Sequence, residues 1–359
     1  MFPESWGGLV VPAINWLIFL VAAVLFYAFH YRRVSPSPSI HGFLGLTFPM
    51  KHWASRSGIV DIVMYIGGRF FNSLMAIGNA VMMAVVAGAL GAMLVVWLGG
   101  SPGFSMGVEA AILLSIAIFV FSELAEYIIH YLEHRVPFLW ELHKVHHSAR
   151  FLTPFTAKRL HPVEVQLGQW LSAVLTGLPV GIAVYLYGLS IVETALIGAA
   201  GRAIIPLILL DPLKHSHIPM SFGWFDRIFQ SPHMHQLHHS AKYEHWDKNF
   251  GSKLSIFDWM FGTMYIPDKD EKLTYGIGRG EHIDEEYDSI VGCYPRPVYA
   301  MFKVLVGKRS PHEIPPPASL SPDWPGHAPE TAVLPDRQPD RQEATQPVSG
   351  SAMGERFTA

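Results

Sequence analysis

The chain has a single cysteine, Cys293, among 359 residues. That excludes an intramolecular disulfide, a cysteine-ligated iron–sulfur cluster and a cysteine-based zinc site. Charge is also scarce. Charged residues make up 15% and hydrophobic residues 50% of the chain, against roughly 25% charged in a typical soluble domain. An ordinary cytosolic enzyme and a disordered chain are both disfavoured. A formal net charge of -3 leaves no basic footprint for nucleic acid. The sequence has no GxGxxG in a strand–helix context, no CxxCH and no HExxH, so nothing announces a built-in dinucleotide site, a c-type haem or a zinc hydrolase. Histidine, by contrast, is plentiful: 19 residues against 26 for lysine plus arginine.

Apolar runs near the twenty residues that cross a bilayer as a helix occur at about Val11–Phe29, Leu74–Leu98, Val108–Ile129, Val165–Tyr187 and Ile191–Leu210. The expected fold is all-α, an integral membrane bundle of about five helices with a histidine-rich helical cap. The first run has Arg32 and Arg33 after it and no basic residue before it. That is the reverse of a cleavable signal peptide, and it reads as a retained anchor. Basic residues lie in the Arg32–Phe71 loop and in Tyr131–Glu164, and none lie in Gly99–Gly107 or Gly188–Ser190. The positive-inside rule then puts the N-terminus outside and the cap and C-terminal part in the cytoplasm. A bacterial inner membrane or the endoplasmic reticulum fits equally. Ala80, Ala84, Gly88 and Ala92 form a small-residue stripe for close helix packing. Arg202 inside the fifth run implies a shallow hairpin or a protein-facing cavity. The chain divides into 1–107, an anchor region with two spans; 108–270, the histidine-bearing domain; 271–309, a cytoplasmic extension; and 310–359, a tail with ten prolines read as disordered.

The histidines fall in boxes: His130 and His134 as HxxxH, then His143, His146 and His147 as HxxHH. His215 and His217 follow, then His235, His238 and His239 as a second HxxHH. Positions i, i+3 and i+4 share one helix face, so each box presents its imidazoles together. All lie at one side of the spans and can converge. Asp211, four before His215, is a candidate carboxylate on that face. Eight or nine imidazoles exceed one ion and fit two. Imidazole suits iron, zinc, copper and nickel, and a dinuclear iron site with open positions is the favoured reading. Metal-bound imidazoles need acceptors for their second N–H. Glu126, four before His130, is a candidate for that role, and Glu133 is either such a partner or a solvated charge. His161 and His217 stand as further ligands or outer partners. His233 is expected to be exposed. His30, His41, His52, His245, His282, His312 and His327 lie outside the boxes.

The motifs His130-Tyr-Leu-Glu-His134, His143-Lys-Val-His146-His147, Arg159-Leu-His161-Pro162, His235-Gln-Leu-His238-His239, Asp247-Lys-Asn249-Phe-Gly251 and Phe261-Gly262-Thr263 closely resemble the fatty acid hydroxylase superfamily. That superfamily includes sterol desaturases, C-4 methyl sterol oxidases and alkylglycerol monooxygenases. The similarity covers about Ala110–Pro267. It implies a non-haem di-iron centre that uses O2 to hydroxylate or desaturate a C–H bond of a membrane lipid. The implied ligands are His130, His134, His143, His146, His147, His215, His235, His238 and His239. Asp211 stands where some members carry the first histidine of an intermediate box. A dry apolar channel and a separate electron donor, a ferredoxin or a cytochrome b5-like protein with its reductase, are expected. The rival readings are a zinc-dependent membrane hydrolase, a metal transporter and a metal-loaded protein without oxygenase activity.

Overall fold

The computed structural model describes residues 4–31, 39–198, 209–268, 271, 273–277 and 281–307. Among them the fold is helical, with two isolated bridges, Phe229 to Leu254 and Ser240 to Tyr275, in place of strands. Helix α1 (Glu4–Phe26) runs on through a π-helical turn, Tyr27–Tyr31. Two short helices, α2 (Ile40–Thr47) and α3 (Met50–Trp53), lead into α4 (Arg56–Leu98). Then come α5 (Val108–Arg135), α6 (Pro137–His147) and α7 (Pro162–Tyr187). The C-terminal part carries α8 (Pro232–His238), α9 (Ile256–Phe261), α10 (Glu281–Glu285), α11 (Ile290–Cys293) and α12 (Pro295–Leu305).

Helix ends follow local chemistry. Ser55 caps α4 by accepting from the Gly58 N–H at 3.1 Å, and Gly99, at φ +93°, ends it. Pro162 opens α7 behind a capping box in which the His161 ring accepts from Val163 and Glu164 accepts from the His161 N–H. Gly188 ends α7 in the left-handed conformation.

Three helices, α4, α5 and α7, are long and apolar enough to cross a membrane. They contain the second, third and fourth expected spans. The first, Val11–Phe29, lies in α1 and its π-helical continuation, where Ala13–Phe29 is an apolar helical stretch. The fifth is helical over 191–198, and the rest of it, Arg202 included, lies outside the described residues, as does the 310–359 tail. Three of the five expected spans are thus found among the described residues. Helix α4, at 43 residues, is ~64 Å long, twice the ~30 Å hydrocarbon core. Its first turns accordingly belong to the histidine-rich region.

Helix α4 packs along α7, and α7 packs along α5. The tightest approach runs through Ala87 and Gly181. A Cβ on Gly181 would stand 2.7 Å from the Ala87 carbonyl oxygen, and one on Gly177 would stand 2.9 Å from Val86. This corrects the expected stripe: Ala80 and Ala92 are exposed, and the buried small residues of that stretch of α4 are Ala87 and Gly91. The seam is offset because the glycines of α7 set the rotation of α4.

Arg159, fully buried, locks this frame to the cap. Its guanidinium donates to Asp61 (2.8 Å) and Ser57 (2.9 Å) on α4, to the Val145 carbonyl (2.9 Å), to Ser148 (2.9 Å) and to the Tyr287 carbonyl (3.0 Å). Cys293 is buried beside it in an apolar cluster with Val60, Met64, Val145 and Tyr287, a packing role.

Candidate metal centre

The last turns of α5 carry His130 and His134, α6 carries His143, His146 and His147, and α8 with its C-cap carries His235, His238 and His239. His215 comes from the turn after Asp211–Leu213, which is held on one side by Phe19, Ala22 and Ala23 of α1. On the other side Gln236 of α8 donates to the Leu213 and Ile218 carbonyls at 3.2 and 2.9 Å.

These nine histidines separate into two groups. His130, His134, His143, His147 and His238 each offer a nitrogen within 4.8 Å of the others, and so do His146, His215, His235 and His239. In the second group the Nε2 atom of His215 lies 3.1, 3.0 and 3.2 Å from those of His146, His235 and His239. One Nε2 proton cannot serve three facing lone pairs. Ligand atoms bound at ~2.0–2.1 Å from one ion stand about 2.9–3.4 Å apart, which is the observed spacing. In the first group the Nε2 atoms of His130, His143 and His238 are buried without a hydrogen-bond partner, and those of His134 and His147 face each other at 3.1 Å. Burial first, then neighbouring rings, pulls the imidazolium pKa of His143, His146, His147, His235, His238 and His239 well below its usual value. Burial brings His215 to about 3. These seven rings are held neutral, and the nitrogens of all nine converge in two groups, so an all-nitrogen donor set fits two cations. Rings of the two groups adjoin: His147 stacks on His239 at 4.7 Å.

Outward nitrogens of three rings in the first group face acceptors. His130 Nδ1 donates to the Phe250 carbonyl (2.8 Å) and His238 Nδ1 to the Lys248 carbonyl (2.7 Å). His134 Nδ1 lies 3.6 Å from Asp247, which also accepts from Arg135 at 2.6 Å. The 247–251 loop thus holds three rings. It can do so because Asp247 and Asn249 take φ of +56° and +57°, a region that Asp and Asn enter more readily than other side chains. Asn249 is tied by its amide to the Met234 and Tyr265 carbonyls and accepts from the Tyr265 N–H. Asp258 of α9 accepts from Phe250 (2.7 Å), Gly251 (2.8 Å) and Thr263 (2.7 Å). His143 Nδ1 lies 3.2 Å from Glu133 and 3.5 Å from Glu164, both buried.

Several sequence expectations are placed elsewhere. Glu126 does not orient His130, whose Nδ1 goes to Phe250; Glu126 lines a cavity beside the rings. Glu133 is a buried partner of His143, not a solvated charge. His161 caps α7 and reaches the Tyr294 carbonyl at 3.0 Å. His217 stacks on Phe151 at 5.5 Å. Neither belongs to a histidine group. Asp211 pairs with Lys214 at 2.7 Å. Against the push of burial, Lys214 and Lys253 hold its carboxyl below the usual range. His233 is 4% exposed, not solvent-facing, because α8 is enclosed on all sides. Of the histidines outside the boxes, His52 stacks on Phe151 at 4.0 Å, His245 pairs with Glu271 at 2.8 Å and His41 is exposed. The side chains of His30, His282, His312 and His327 lie outside the described residues. Sequence reasoning missed Phe250, Lys248, Asp247 and Glu164. The DKNFG motif was the signal for the first three, though it does not show that two of the contacts are backbone carbonyls.

A cavity of about 530 Å³ opens onto both groups, touching His130, His143, His146, His215 and His235. Its wall is mixed, with charged residues set beside the apolar surface that was expected. The wall carries Arg69, Lys158, Lys214, Lys253, Glu126 and Asp211. Asn72 and Gln169 continue it, joined at 3.3 Å in a polar ladder that runs on through Asn79 and Gln166 at 2.7 Å. Trp16, Phe19, Tyr65 and Phe71 supply an apolar side.

Residues 115–263, which hold all nine histidines, match the family described as Fatty acid hydroxylase. Over that segment the similarity supports the fatty acid hydroxylase superfamily. It is 31% identical over 162 residues to the ornithine lipid hydroxylase OlsE of Rhizobium tropici, covering 44% of each chain. It is 26% identical to the alkylglycerol monooxygenase of Danio rerio, over 43% of this chain and 31% of that one. For the alkylglycerol monooxygenase of Caenorhabditis elegans the identity is 24%, over 45% and 29%. The matches thus span less than half the length of these relatives. No solved structure matches the chain.

Proposed function

We propose that this fatty acid hydroxylase domain is a membrane-embedded, non-haem di-iron oxygenase that hydroxylates a C–H bond of a bilayer lipid. The observation that carries the reading is the convergence of nine imidazoles into two adjoining groups. His130, His134, His143, His147 and His238 would hold one iron and His146, His215, His235 and His239 the other. Bound there, the iron pair would supply O2 activation, with one oxygen entering the C–H bond and the other leaving as water after uptake of two electrons and two protons. The protein's own contribution is positional. Glu133, Glu164 and the 247–251 loop fix ring orientation, which sets how firmly each nitrogen faces its ion. The cavity admits substrate beside both groups. Electrons come from a separate donor, a ferredoxin or a cytochrome b5-like protein with its reductase. The positive-inside pattern supports a cytoplasmic histidine cap, where such a donor would dock.

The names of the relatives, an ornithine lipid hydroxylase and alkylglycerol monooxygenases, support a lipid substrate and hydroxylation over desaturation. The test is turnover with isotopically labelled O2 and a reductant system, using iron-loaded full chain and extracted membrane lipid. A lipid product heavier by one labelled oxygen is expected. A product lighter by two hydrogens would replace hydroxylation with desaturation, and the absence of any product would overturn the oxygenase reading.

A further inference from the structure

The wall of the cavity beside the histidines holds more charge than a hydrocarbon tail can use. Two pairs are internally matched: Lys214 with Asp211 at 2.7 Å, and Lys253 with Glu123 at 3.5 Å. Lys158 and Glu126 are not. Both line the cavity, and neither side chain forms a hydrogen bond or ion pair with any described residue. Glu126 is nevertheless the first of the carboxylates that act on the Lys158 ammonium, so the two charges face a shared space without closing it. Each exposes surface, yet crowding lowers the Lys158 pKa. Exposure together with crowding is what the wall of an internal cavity gives. An unmatched ammonium and an unmatched carboxylate in that wall are both open to a ligand that compensates them. An alkyl chain would leave both charges uncompensated and strip them of water. A ligand carrying one charge would match only one of them.

We propose that this cavity takes the zwitterionic headgroup of a membrane lipid, one that bears an ammonium and an anionic group. Lys158 engages the anion and Glu126 the ammonium. The apolar side formed by Trp16, Phe19, Tyr65 and Phe71 receives the root of the acyl part. Because His130, His143, His146, His215 and His235 line the same space, the carbon nearest the metal groups belongs to the head, and oxygen is delivered to the head. The delivery half rests on the oxygenase reading above; the binding half stands without it.

Four probes test the proposal with the full chain in mixed micelles. Nα-lauroyl-lysine carries both charges on one tail. Nα-lauroyl-norleucine lacks the ammonium, and N-lauroyl-cadaverine lacks the carboxylate. Nα-acetyl-lysine keeps the head and loses the long tail. Binding is read by tryptophan fluorescence, since Trp16 lines the cavity. Nα-lauroyl-lysine is expected to bind at least about tenfold tighter than either singly charged analogue. Lys158→Met should erase its advantage over the cadaverine probe and keep that over the norleucine probe. Glu126→Gln should do the reverse. Melting temperatures of both variants show that each is folded. Equal binding of the three lauroyl probes, or an advantage untouched by either variant, overturns the assignment. Tight binding of Nα-acetyl-lysine replaces the lipid with a free amino acid and overturns that part. Turnover of Nα-lauroyl-lysine with labelled O2, followed by fragmentation, then locates the oxygen. Label on the acyl fragment refutes headgroup delivery and leaves the oxygenase reading standing. Selective binding with no label incorporated refutes the oxygenase reading and leaves the headgroup site standing.

Discussion

Glu133 is the residue on which the two readings of a lone carboxylate diverge. Buried 3.2 Å from His143 Nδ1, it fixes the ring that its partner Glu164 also flanks. Glu133→Gln should lower iron affinity about 10–100-fold, the usual cost of losing such a partner, measured by competition with a chelator. Unchanged affinity would return Glu133 to the role of a bystander. Asn249 holds the loop that carries Lys248 and Phe250. Its buried amide makes three hydrogen bonds, so Asn249→Ala should cost about 1–3 kcal/mol of stability and broaden iron binding by releasing His130 and His238. A variant that melts with wild type would contradict that link. At this scale the sequence was most informative about groups that act through their own side chain. The nine histidines were legible because each box spans about one helical turn, a distance that sequence spacing encodes directly. The acceptors for His130 and His238 were not, because a carbonyl belongs to every residue and only the chain path makes one special.

Among the elements, the α4–α7 seam decides how the cap sits on the membrane helices. Gly181→Ala puts a methyl group against a backbone carbonyl at 2.7 Å. It should destabilise the protein by about 1–3 kcal/mol, seen as a lower melting temperature in detergent. Ala92→Leu, on an exposed position of α4, should leave the melting temperature within a degree or so, because surface changes away from packed features are usually near-neutral. The opposite ranking would restore the stripe of Ala80, Ala84, Gly88 and Ala92 as the working seam. Small residues at i+4 spacing announce that a helix can pack closely. They do not fix its rotation, which depends on a partner about ninety residues away. The same limit hid His233: the box pattern gave α8 one functional face, while its burial on all sides comes from Met220, Leu213 and Asn249 packed around it.

For the molecule as a whole, three helices fit a bilayer among the described residues, and hydropathy alone located all three. The cavity was not legible. Its wall joins residues from α1, α4 and α5 with the turns around Lys158, Asp211 and Lys253, which are remote in sequence and individually unremarkable. The expectation of an apolar channel followed from composition, and the charged residues set beside that apolar surface come from distant segments. Orientation remains a proposal from the basic loops, and a reporter fused after Val306 should be cytoplasmic; a reporter on the opposite side would invert the placement of the cap. The central claim is that two histidine groups hold two irons. The measurement that tests it most directly is the metal content of the detergent-purified full chain after expression with ample iron, beside a His146→Ala/His238→Ala variant that removes one ligand from each group. The account predicts about two irons per wild-type chain, one for each group, and their loss in the variant. Zinc alone, or no metal in either preparation, would contradict it.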